Sequence, residues 1–209
     1  MDPDSGILIF IQENIRSDLL TPFMTFITHT CDYGLIWIII SIFLLLIPKS
    51  RRIGIIAGSS IALEALITNL IIKNYVARTR PYEVIDGLIN LIEKQKDYSF
   101  PSGHSGASFA VAGVLIMVAL LGLPAAEAKG RLSRSKTSSG YKIFAALMLL
   151  YATIIAFSRL YVGVHYPTDV LGGVLLGIGT SILAYFVYQQ IIKTVSKRKA
   201  EKEEATAKA

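Results

Sequence analysis

Three separated polar clusters interrupt an otherwise apolar chain: Lys73 to Arg80-Pro81, Pro101-Ser102-Gly103-His104, and Ser158-Arg159 followed by His165 and Asp169. Two cations on one segment, a Ser-Gly-His turn and an Arg-His-Asp cluster are the parts that hydrolysis of a phosphate ester through a histidine nucleophile requires. A phosphoryl group in transfer spreads charge over its non-bridging oxygens, so the protein's task is mainly positioning and charge stabilisation. Guanidinium groups fork onto such oxygens, and an ammonium adds a compact point charge. Lys73 and Arg80 are close to two helical turns apart and would share one face if the helix continued to Arg80. Arg78 lies in the same segment on a different face, and Pro81 ends the run.

Pro101 to His104 leads directly into an apolar segment, which places Ser102 and Gly103 at a helix N-terminus, where free N–H groups and the helix dipole favour an anion. His104 can protonate a leaving oxygen as general acid. Asp169 follows His165 by one helical turn, so both can face one way. A carboxylate holding one imidazole nitrogen leaves the other to attack phosphorus. Each cluster also has a plainer reading. Lys73 and Arg80 can be a basic cap at a membrane surface, Ser102 a simple helix cap, and His165 an interfacial polar residue with Asp169 as a cap. A metal site at His165 and Asp169 would need further ligands that the nearby sequence does not offer.

The elements that must position these residues are membrane helices. Hydrophobic residues make up 53% of the 209 positions and charged residues 17%, with a mean hydropathy of +0.54; soluble domains usually carry about 25% charged residues. Segments near 30–47, 53–72, 104–123, 142–160 and 169–192 are each about the length a bilayer demands, with Pro48 and Pro124 just after two of them. The expectation is a single-domain, all-α integral membrane bundle of about five transmembrane helices (residues 30–192). Residues 1–29, interrupted by Glu13, Arg16 and Asp18, read as an N-terminal amphipathic segment lying in the interface, with a sixth, poorly formed span as the alternative. Residues 193–209 form a charged tail. The acidic start and the lack of a small-residue cleavage site argue against a secretory signal.

Charge orients the bundle. Lys49, Arg51 and Arg52, then Lys129, Arg131, Arg134, Lys136 and Lys142, then Lys193, Lys197, Arg198, Lys199 and Lys202 all fall on one side of a five-span arrangement. That side is expected to be cytoplasmic. Residues 73–103 and 161–168, which hold the chemistry, then face the exterior or periplasm. The net charge of +6 is thereby explained by topology, and with no basic stripe interleaved with aromatics, no nucleic-acid partner is expected. The lone Cys31 excludes an internal disulfide.

Lys73-x6-Arg80-Pro81, Pro101-Ser102-Gly103-His104 and Ser158-Arg159-x5-His165-x3-Asp169 together resemble the tripartite signature of the type 2 phosphatidic acid phosphatases, a superfamily shared with the vanadium haloperoxidases. The likeness spans roughly residues 20–192. It implies that His165 is the nucleophile forming a phosphohistidine, Asp169 its partner and His104 the general acid. Lys73, Arg80, Arg159, Ser102 and Gly103 would hold the phosphate. Membrane members of the family work without a divalent metal, so no metal and no cofactor are expected, and the partner is a membrane lipid. The small size resembles bacterial enzymes acting on phosphatidylglycerophosphate or undecaprenyl pyrophosphate; phosphatidic acid and diacylglycerol pyrophosphate stay open, as does the oligomeric state. Many members have six spans, one more than is clear here.

Other features carry less. Glu64 lies mid-span, where a carboxylate is costly and faces protein or a polar cavity. Asn69 could orient Lys73 or bridge helices. The apolar spacing across residues 82–98 suits an amphipathic helix beside the site, either a lid or a surface cover, with Tyr98 and Phe100 near the pocket. Residues 125–140 read as an ordinary connecting loop. Gly173-x-x-x-Gly177 favours packing within the bundle over dimerisation. The competing functions are a vanadate-dependent haloperoxidase, a lipid-binding or scramblase-like protein of weak catalytic power, and a transporter built around Glu64. Intact His104, His165 and Asp169 weigh against the second, and isolated polar groups against the third.

Overall fold

The computed structural model describes residues 3–126, 132–135 and 137–208. Met1, Asp2 and Ala209, and Lys129, Arg131 and Lys136 of the basic loop, lie outside the described residues. The chain opens with α1 (Pro3–Asn14) and α2 (Leu20–Thr30), a 3-10 turn at Asp32–Gly34, and α3 (Leu35–Leu46). It continues with α4 (Arg51–Leu66), a π-helical turn (Ile67–Ile72), α5 (Lys73–Val76) and the short α6 (Pro81–Val84). After them come α7 (Gly103–Leu121), strands β1 (Leu123–Ala126) and β2 (Leu132–Ser135), α8 (Ser139–Tyr161) and α9 (Pro167–Lys208).

Among the described residues four helical stretches are long and apolar enough to cross a membrane: Arg51–Val84, Gly103–Leu121, Ser139–Tyr161 and Pro167–Thr206. The bundle is thus the all-α membrane architecture expected. The span placed at 30–47 differs in form. Its helix α3 has only 12 residues, about 18 Å at 1.5 Å per residue, too short for a hydrocarbon core of about 30 Å. It reaches span length only together with α2, from which it bends by 48°.

α7 is the central element, packed against α9, α8 and α4. It begins where the Ser102 hydroxyl accepts the Ser105 N–H as an N-cap and ends at Gly122 (φ +78°). Its buried face brings Val111 and Leu115 against Trp37, Ile56, Ile155 and Tyr185, and the Trp37 indole N–H donates to Ser108 Oγ at 2.8 Å. α9 is unbroken for 42 residues, roughly 63 Å, twice the hydrocarbon thickness. Its last turns therefore leave the membrane, and exposed Lys197–Glu201 and Lys199–Glu203 pairs at 3.8 Å line them.

Two stretches depart from expectation. Around the expected loop 125–140, β1 and β2 pair antiparallel, Leu123 opposite Ser135 and Ala126 opposite Leu132; strands of four residues are too short to show an alternating pattern. The 82–98 stretch is not a helix beyond Val84. Gly87 turns the chain at φ +80°, and the Leu91 N–H is bonded to Val162 O at 3.0 Å. The apolar side chains pack inward instead: Leu88 with Leu8 and Tyr166, Leu91 and Ile92 with Ile11, Met24 and Val162. α1 is docked on this stretch, with Ile7 and Phe10 on its exposed side.

Candidate active site

The three motif clusters meet at one end of the bundle. His165 lies between α8 and α9 and is buried. Arg80 Nη1 donates toward His165 Nε2 at 3.2 Å; arginine has no acceptor, so Nε2 presents its lone pair. The proton then belongs on Nδ1, which faces Asp169 Oδ2 at 3.5 Å, a long contact of the kind that tightens when ligand binds. Burial holds the imidazole far below its ordinary value, to about 3, with Asp169 opposing the drop and Arg80 and Arg159 adding to it. His165 is therefore neutral at neutral pH.

Asp169, fully buried, is held on both oxygens. Oδ2 accepts from Ser99 Oγ and from the Tyr166 N–H at 2.9 Å, and Oδ1 from Arg78 Nη1 at 2.6 Å. Arg78 also donates to Asp4 Oδ2 of α1 at 2.9 Å and stacks on the Tyr166 ring at 3.8 Å. Asp4 in turn accepts from the Thr168 hydroxyl. The N-terminal helix is thus tied to the carboxylate beside His165.

Lys73 and Arg80 do not share a helical face. The helix stops at Val76, Ala77 adopts a left-handed conformation (φ +47°), uncommon for a non-glycine residue, and Arg80 is extended. The π-helical turn just before Lys73 shifts the register by which α4 delivers it. The two cations converge through Asp97. Its Oδ1 accepts from Arg80 Nη2 at 2.6 Å, its backbone oxygen from Arg80 Nε at 3.0 Å, and its Oδ2 is ion-paired with Lys73 Nζ. Burial opposes ionisation of Asp97, but the Lys73 hydrogen bond and the charges of Lys73 and Arg80 prevail and hold it at about 2. An anionic carboxylate thus sits where cations gather for an anion.

Arg159, on the last turn of α8, is 1% exposed. Its Nη1 donates to Thr28 Oγ1 at 2.6 Å, and its buried Nε has no partner among the described residues, a donor available to a ligand. His104 Nε2 lies 3.2 Å from Asp32 Oδ1 and 3.4 Å from Arg159 Nη1. Ser102 is turned away: its hydroxyl caps α7 and accepts from Ser105 Oγ at 3.0 Å, while its N–H donates to Asp169 O at 3.0 Å. Gly103 faces the cavity.

Lys73, Arg80, Gly103, His104, Arg159 and His165 line a single cavity of about 1030 Å³. It runs on between α3 and α4 past Ile38, Leu45, Gly58 and Ile61, so a polar end opens into an apolar slot. Glu64 borders it, accepting from Thr68 Oγ1 at 2.6 Å, and Gly106 leaves it room, since a Cβ there would collide with the Glu64 carboxylate. Asn69 bonds to Ala65 O of its own helix. Among the described residues no group of three or more His, Cys, Asp or Glu side chains is arranged to hold a metal. Asp97, Asp32, Ser99 and Asp4 carried no spacing signal in the sequence.

Residues 53–193 match the family model of the PAP2 superfamily. The chain is 32% identical over 149 residues to an undecaprenyl-diphosphatase of Sulfolobus acidocaldarius, covering 71% of this chain and 62% of the relative. It is 32% identical over 112 residues to phosphatidylglycerophosphatase B of Bacillus subtilis, covering 54% and 47%. The chain therefore spans less than two thirds of the length of both relatives. A crystal structure of a transmembrane PAP2-type phosphatidylglycerolphosphate phosphatase from Bacillus subtilis superposes with a TM-score of 0.67 at 26% identity, covering 90% of this chain and 85% of that one.

Proposed function

Because the chain belongs to the PAP2 superfamily, we propose that it is a membrane lipid phosphatase that works through a phosphohistidine on His165. The observation that carries this reading is the placement of His165: Nδ1 toward Asp169, and the Nε2 lone pair aimed among Arg80, Arg159 and Lys73. The phosphate displaces Asp97 and is held by Lys73, Arg80, Arg159 and the Gly103 end of α7. His165 Nε2 attacks phosphorus as the P–O bond to the lipid breaks, and His104 gives its proton to the leaving oxygen. Water then attacks the phosphohistidine, surrendering a proton to His104; the N–P bond breaks and its electron pair returns to Nε2. Phosphate leaves and both histidines regain their starting states. The charge that builds on the equatorial oxygens is met by three fixed cations.

Undecaprenyl diphosphate or phosphatidylglycerophosphate is the substrate, a reading supported by the names of the two relatives and by a polar site joined to an apolar slot. Arg51 and Arg52 at the start of α4 and the basic end of α9 lie at the far ends of their helices from the site, which supports a site facing the exterior and a cytoplasmic tail. The exposed side of α1 rests in the interface. The test is phosphate release in excess chelator from a panel of undecaprenyl diphosphate, phosphatidylglycerophosphate, phosphatidic acid and diacylglycerol pyrophosphate. Wild type should release phosphate from one of the first two and His165→Ala from none. Equal release by both proteins would overturn the reading.

A further inference from the structure

The break in the first span coincides with a contact to the cavity. α2 and α3 are separated by a short turn in which Tyr33 (φ +54°) and Gly34 (φ +72°) are successively left-handed. For tyrosine this conformation is costly and persists only where surroundings impose it. Tyr33 is 99% exposed, so its own ring does not hold it there. Its neighbours do: Cys31 is completely buried, and a Cβ on Gly34 would meet Ile61 at 3.4 Å and Ala107 at 3.7 Å. Between them the bend turns Asp32 inward, where Oδ1 meets His104 Nε2 at 3.2 Å while Oδ2 meets His29 Nδ1 at 2.9 Å.

His104 Nε2 has two neighbours that demand opposite tautomers. A bond to the Asp32 carboxylate, an acceptor when ionised, needs a proton on Nε2; a bond from Arg159 Nη1 needs a lone pair there. The Asp32 contact is the shorter, and Arg159 Nη1 is already engaged with Thr28 Oγ1 at 2.6 Å. The balance favours Nε2–H···Oδ1, with the exchangeable proton of catalysis carried on Nδ1. The His104 backbone is fixed as well, its oxygen accepting from Ser108 Oγ at 2.7 Å.

We propose that Asp32 is a positioning residue for His104: it fixes the Nε2–H tautomer and stabilises the imidazolium that donates to the leaving group, with His29 holding its second oxygen. This deepens the reading of His104 as general acid and rests on it. The catalytic centre then holds two carboxylate–imidazole pairs, Asp169–His165 for the nucleophile and Asp32–His104 for the acid.

Two measurements test it. The first is turnover by wild type, Asp32→Ala and His165→Ala of phosphatidylglycerophosphate, whose alkoxide needs a proton, and of p-nitrophenyl phosphate, whose phenolate does not. Asp32→Ala should lose about 10- to 100-fold in kcat/KM, which reports the phosphorylation step alone, on the lipid and less than about threefold on the aryl ester. An equal loss on both, or none on either, would overturn the proposal. The second is the histidine 15N spectrum in detergent, which reports tautomers without turnover. Wild-type His104 should be Nε2-protonated, and Asp32→Ala should shift it toward the Nδ1-protonated form; an unchanged tautomer would overturn the proposal. Should wild type hydrolyse neither probe nor undecaprenyl diphosphate, the phosphatase reading fails while the spectrum still decides the role of Asp32.

Discussion

Gly173→Ala should damage turnover although no motif residue is replaced. Gly173 lies one turn beyond Asp169 on α9, where the helix presses on the start of α7. A Cβ there would collide with Ser102 O and stand 3.0 Å from Ser105 Cβ and 3.1 Å from Gly106 N. The optimum for two carbons is about 3.5–4.0 Å, so α9 must retreat by about 0.5–1 Å at this level. Overpacking of that kind costs about 1–3 kcal/mol. The retreat also draws Asp169 from His165 and disturbs the turn that delivers Gly103 and His104. A displacement near 1 Å can cost about 100-fold in rate. Gly179→Ala is the control, with nothing within 4 Å of its added Cβ. The assay is kcat on the preferred lipid together with the thermal midpoint, both in one detergent. Gly173→Ala should be lower in both and Gly179→Ala unchanged in kcat. Identical behaviour of the two variants would refute the claim that close approach of α7 and α9 sets the site geometry.

Other outcomes follow from the same contacts. Asp97→Asn removes the carboxylate resting on Lys73 and Arg80, so inorganic phosphate should inhibit severalfold more tightly; weaker inhibition would mean Asp97 organises the cations rather than competing for them. Arg159→Lys keeps the charge but loses the forked donors and should lower kcat/KM by about 100- to 1000-fold, read in the same phosphate-release assay. His165 has its value depressed from about 6.5 to about 3, so the folded state resists a proton that the unfolded chain accepts. Its contribution to stability is complete above pH 6.5 and declines toward pH 3, by up to about 1.4 kcal/mol per pH unit. His165→Gln should flatten the thermal midpoint over that window. Asp97 is held below its ordinary value too, and adds a loss between about pH 4 and 2.

The membrane bundle was legible because burying charge in lipid is costly, which leaves long uncharged runs such as Gly103–Leu121 plain in the sequence. His104, His165, Asp169, Lys73, Arg80 and Arg159 were singled out by residue type and motif spacing, and the fold gathers them around one cavity or, for Asp169, directly behind it. What escaped depends on backbone turns that local pattern does not encode. Lys73 and Arg80 meet through Asp97 because Ala77 breaks the helix in a left-handed conformation that alanine does not advertise. Asp32 reaches His104 through a bend at Tyr33 that interrupts an apolar run without a proline. The 82–98 stretch has helical spacing, yet Gly87 and a long-range bond to Val162 O bury its apolar side chains against α1 and the start of the His165 turn. Arg78, assigned to another face on helical geometry, arrives at Asp169 because the helix had already ended.

The central claim is that phosphate passes through His165. Acid-labile, base-stable radiolabel bound to the protein after rapid quenching with 32P-labelled lipid would report it directly. The account predicts label on wild-type protein, mapped to the peptide containing His165, and none on His165→Ala. Steady turnover by wild type with no such label, or label retained by His165→Ala, would contradict it.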